Sequence, residues 1–93
     1  MWKTKPAGVL PISVLQLHQH RCIEAYFGED QDDLQSATTF VSSLVNPGWQ
    51  VTAVVPLRRL GVAHEAFRAA DVYLQAWWRD EEGIVRFSSC ERA

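Results

Sequence analysis

Hydrophobic positions along the 93-residue chain follow two rhythms, one of period two and one of period three to four, and the rhythm changes at proline and glycine. After Pro11, ISVLQLHQHRCIEAYF alternates: Val14, Gln16, His18, His20 and Cys22 fall on one side, Leu15, Leu17 and Gln19 on the other. With its β-branched and aromatic content this predicts a long strand. A helix is the rival, since Val14, Leu17, His18 and Arg21 also recur at helical spacing. GEDQDDLQSATTFVSSLVNPG then opens on Gly28 and acids suited to the positive end of a helix, and places Leu34, Ala37, Val41, Leu44 and Val45 on one stripe that Phe40 widens. Thr38, Thr39, Ser42 and Ser43 form an uncharged flank toward water. Asn46-Pro47-Gly48 ends the helix, because proline lacks a donor and glycine permits the reversal.

WQVTAVVPL alternates Trp49, Val51, Ala53 and Val55 against Gln50, Thr52 and Val54, and predicts a strand stopped by Pro56. RRLGVAHEAFRAA predicts a short helix from about Val62 to Ala70 inside a long connection. DVYLQAWWR and GIVRFSSC, joined by Asp80-Glu81-Glu82-Gly83, predict a hairpin. The competing reading is one helix from Val62 through Trp77, since Val62, Ala66, Ala70, Tyr73, Leu74 and Trp77 fit its spacing; aromatic and β-branched density after Asp71 favours strand.

These elements predict an α+β fold: a single domain over residues 1–93 with one mostly antiparallel sheet of about four strands. The order along the chain is β-α-β-(short α)-β-β, with one helix on one face. Period two puts Trp77 and Trp78 on opposite faces, so one indole points away from the helix. The composition is 47% hydrophobic with four Trp, four Phe and two Tyr, enough for a core. A domain this small still buries only about 60 to 65% of its unfolded surface. That shallowness raises a second copy of the chain as the cover for an apolar face or edge.

Residues 34–57, an apolar helix ending in LVNPGW and running into QVTAVVPL, resemble a family of small bacterial domains of unknown function. Gly48, Trp49, Val54, Val55 and Pro56 stand where that family has a Gly-Trp pair and a strand ending in Val-Val-Pro. The resemblance covers about a quarter of the chain. Asn46-Pro47 departs from the usual helix end, and the connection after Pro56 is longer than the family's. The resemblance implies a fold and no reaction.

Nine Lys plus Arg against eleven Asp plus Glu give a formal charge of -2. No basic run is present, so nucleic acid is disfavoured as a partner. The acids at Glu29 to Asp33 and Asp80 to Glu82 read as solvated turns. Pro6 and Pro11 interrupt the apolar N-terminus and make it a poor signal peptide; no run approaches the ~18 apolar residues of a membrane span. A cytoplasmic protein, with Cys22 and Cys90 as free thiols, is the expectation.

LHQHRC, residues 17 to 22, is the stretch that suggests chemistry. On a straight strand, however, His18 and Cys22 stand about 13 Å apart, beyond the roughly 9 to 10 Å that their side chains and metal bonds span. His18 and His20 would need further ligands from His64, Glu24 or Cys90, and no ligand pair of recognisable spacing supplies them. A thiol nucleophile, Cys22 or Cys90 with His20 or His64 as base, lacks a glycine-rich turn to form an oxyanion hole. Gly8, Gly28, Gly48, Gly61 and Gly83 are dispersed at boundaries and form no phosphate cradle.

Arg58 and Arg59, with Arg68 nearby, are the only basic concentration. Together with Trp77 and Trp78 they suit a protein-binding surface better than an RNA-binding one, given the net negative charge. The leading reading is therefore a noncatalytic accessory domain, an inhibitor or regulator of the kind mobile elements encode. It binds an unidentified protein or itself through Trp77, Trp78, Arg58 and Arg59, with no cofactor and no membrane. The first alternative is a small metal-binding protein or enzyme centred on His18, His20 and Cys22; the second is an RNA-binding module using the Arg and Trp pairs.

Overall fold

A computed structural model describes residues 13–28 and 34–93. The expectations for the N-terminal segment and for the acidic helix start at 29–33 lie outside the described residues. Strands β1 (Ser13–Leu17) and β2 (Cys22–Tyr26) are followed by helix α1 (Leu34–Ser42), strand β3 (Gln50–Pro56), helix α2 (Leu60–Ala66) and strand β4 (Tyr73–Arg79). Two short strands close the chain, β5 (Val85–Phe87) and β6 (Glu91–Arg92). The sheet runs β1-β2-β3-β4-β5, with β6 also on β4.

This is an α+β fold, but the sheet is mixed and larger than the alternation suggested. β2, β3 and β4 are parallel neighbours, flanked by antiparallel β1 on one side and β5 and β6 on the other. The reason lies in 60–66. Treated as part of a loop, it leaves the next strand free to run either way; as a packed helix it makes β3-α2-β4 a crossover, which forces parallel pairing. Crossovers of one hand between successive neighbours place α1 and α2 on the same face. The two helices pack against each other there, and Thr38 Oγ1 donates to the Ala66 carbonyl at 3.2 Å.

The core lies between that helix pair and one side of the sheet: Ile23, Ala25, Val51, Ala53, Val55 and Leu74 from the strands, Ala37, Val41, Ala63, Ala66 and Phe67 from the helical layer. The Phe27 and Phe67 rings meet at 6.3 Å between centroids and 56° between planes. Alanines at Ala25, Ala53 and Ala76 in neighbouring strands, all fully buried, let the helices approach closely. β3, the central strand, is buried from Val51 to Pro56 on both faces, as a parallel strand between two neighbours must be.

The expected single strand through LHQHRC is instead a hairpin. A 3-10 turn at His18–His20 and Arg21 in the left-handed region (φ 50°) reverse the chain, and Leu17 pairs with Cys22. A non-glycine residue there costs about 1–2 kcal/mol. The Arg21 carbonyl compensates by accepting the Gln50 N–H at 2.8 Å, which seats β3 against the turn. The reversal changes the faces: Val14 joins Ala25 on the helix side, while Leu15 and Leu17 join Glu24 and Cys22 on the other. Cys22 is thus not on the Val14 side.

The C-terminal hairpin forms as expected. β4 pairs antiparallel with β5 in the register Trp77 with Phe87 and Arg79 with Val85. The turn is held by Asp80, whose carboxylate accepts the Glu82 and Ile84 N–H groups at 2.9 and 3.0 Å. Beyond β5 the register slips: Leu74 lies three residues before Trp77, yet its partner Glu91 lies four after Phe87. One extra residue is therefore accommodated as a bulge over 88–90. Ser88 Oγ accepts the Ala76 N–H at 2.9 Å and Gln75 Nε2 donates to the Ser88 carbonyl at 2.8 Å, so side chains satisfy what the ladder leaves open.

Candidate functional site

Side chains that alternate away from the helices line the opposite face of the sheet. Register aligns them in rows: Leu17, Cys22 and Gln50; then Leu15, Glu24, Thr52, Tyr73 and Arg92; then Tyr26, Val54 and Gln75; then Pro56, Trp77 and Phe87; then Arg79 and Val85. The face divides into a polar band over β2 and β3 and an apolar strip toward β5.

In the polar band, the Tyr26 hydroxyl donates to Glu24 Oε1 at 2.7 Å, and Gln50 Nε2 donates to Thr52 Oγ1 at 3.3 Å. Burial, then the carboxylate it donates to, push the Tyr26 phenol up to about 12. Burial also pushes the Cys22 thiol up, reinforced by the Glu24 charge and by Cys90, with a hydrogen bond to Thr52 opposing. A thiol held protonated next to a carboxylate is the reverse of an activated nucleophile. Of the histidines named as its base, His20 is exposed on the hairpin turn and His64 Nε2 is 2.6 Å from Glu91 Oε2. Both cysteines are free thiols.

No three His, Cys, Asp or Glu side chains among the described residues are grouped to hold a metal ion, and the His18 side chain lies outside those described. The hairpin replaces the straight strand along which His18 and Cys22 were expected to stand about 13 Å apart.

Trp77 and Trp78 fall on opposite faces, as period two requires, and both are half-buried. The Trp77 indole crosses the Pro56 end of β3 and donates from Nε1 to the Phe27 carbonyl at 2.9 Å, tying β4 to the end of β2. Arg58 and Arg59 occupy a 3-10 turn directly after β3, which packs on β4, so the structure brings them to the Trp77 end of the sheet. Both already hold interaction partners within the chain. Of the four predicted residues, Trp77 and Trp78 lie on opposite faces of β4, and Arg58 and Arg59 stand in the turn that packs on that strand.

Sequence reading missed the strip at the sheet edge. Ile84, Val85 and Phe87 are 49%, 43% and 49% exposed, a run of large apolar side chains on and beside β5. Arg86 between them reaches back to Asp80, Nε to Oδ2 at 2.9 Å, leaving the edge without a free charge at its centre. Apolar residues at 85 and 87 around a charged 86 are the signal in the sequence; the sequence does not show that β5 borders the sheet formed by the described residues.

Among the described residues no helix is long and apolar enough to cross a membrane. No protein-family model matches the chain, and neither a curated protein nor a solved structure matches it at a significant level.

Proposed function

We propose that this chain is a noncatalytic protein-interaction domain, an accessory or regulatory factor of the cytoplasm, whose working surface is the β5 edge with the adjoining apolar strip. The observation that carries the reading is the coincidence of exposed Ile84, Val85 and Phe87 with an edge strand that pairs on one side only among the described residues. Edge strands in stable proteins are ordinarily blunted by charge, proline or cover, and this one has its single charge neutralised by Asp80. Unpaired backbone groups beside alternating apolar side chains supply what strand addition needs: main-chain hydrogen bonds for affinity and side chains for selectivity.

Trp77 stays within this surface, flanking Phe87, while the centre moves from Arg58 and Arg59 to β5. Trp78 faces the helix side, so a two-indole platform for stacking RNA bases is not presented. The test compares proteins retained from the native cell by wild type, by Val85→Lys at the edge and by Leu15→Lys at the opposite edge. Retention by wild type and Leu15→Lys, lost in Val85→Lys, is expected. Identical retention by all three overturns the surface.

A further inference from the structure

We draw no further inference here: the strongest candidate, the face of the sheet turned away from the helices, where the polar band of Glu24, Tyr26, Thr52 and Tyr73 adjoins the apolar strip of Trp77, Val85 and Phe87, carries nothing beyond the interaction surface already described, because nothing in the structure shows what covers it.

Discussion

Replacing Trp77 by phenylalanine isolates what one indole N–H contributes to a three-strand connection. The ring spans from β4 over the Pro56 end of β3, and its Nε1 donates to the carbonyl of Phe27, a residue fifty positions earlier. Losing the donor leaves that carbonyl unpaired at a half-buried position, which costs about 1–1.5 kcal/mol. Trimming indole to phenyl removes on the order of 40 Å² of side-chain surface, roughly two-thirds or more of it buried here, which at about 25 cal/mol per Å² adds roughly 0.5–1 kcal/mol. Trp77→Phe should therefore lose about 1.5–2.5 kcal/mol. Trp78 is half-buried too, but its indole makes no hydrogen bond among the described residues, so Trp78→Phe should lose only the area contribution of about 0.5–1 kcal/mol. Urea unfolding followed by far-ultraviolet circular dichroism avoids reading stability from the tryptophans being changed, and the two variants should differ in midpoint with a common slope. In thermal unfolding the difference of about 1 kcal/mol is a gap of roughly 4–8 °C for a domain of this size. Equal losses in the two variants, or a neutral Trp77→Phe, would show that the bridge to Phe27 contributes nothing, and the reasoning would fail.

Other expected outcomes are as direct. Tyr26 keeps its proton in the folded state up to about 12, against about 10 when unfolded. The folded state thus holds a proton the unfolded chain has lost, and stability present below pH 10 should drain away as pH rises from about 10 to 12. Spectrophotometric titration should show a late tyrosinate step that Tyr26→Phe removes; an unchanged titration in the variant refutes the assignment. With a disulfide reagent near pH 8, exposed Cys90 should react several-fold faster than Cys22, whose thiol is half-buried and pushed up by burial and Glu24. Faster labelling of Cys22, read in the Cys90→Ser variant, would contradict that ordering. Gly48 sits at φ +81°, so Gly48→Ala should cost about 1–2 kcal/mol, while Gly28→Ala, where an added methyl meets nothing within 4 Å, should change stability by less than about 0.5 kcal/mol. Denaturation midpoints decide both.

Local rhythm revealed most of the elements and little of their arrangement. β3, α1 and the C-terminal hairpin were legible because VTAVV, the Ala37 and Val41 stripe and the Asp80-to-Gly83 turn each obey one period cleanly. The first hairpin was hidden because its reversal depends on Arg21 in a conformation that sequence ordinarily assigns to glycine or asparagine, and because alternation reads straight through His18 and His20. The parallel core was hidden because LGVAHEA, seven residues of weak amphipathicity, acts as a crossover only when Ala63 and Ala66 meet the core. For the same reason the polar band escaped notice: Glu24, Thr52 and Tyr73 stand more than twenty residues apart and become neighbours only in register. Arg58 and Arg59 are the densest basic pair in the sequence, yet charge density says nothing about which groups are already engaged.

The spare residue between β5 and β6 gives the chain one place where length is forgiving. Elsewhere in the sheet, removing a residue rotates everything beyond it to the wrong side, and β3, enclosed on both faces, has nowhere to put the error. At Ser89 a deletion would merge two short strands into a continuous one while Phe87 and Arg92 kept their orientation. Shortening there would lengthen the unpaired rim, and so trade a break that limits how far a neighbouring strand can zip for one that does not.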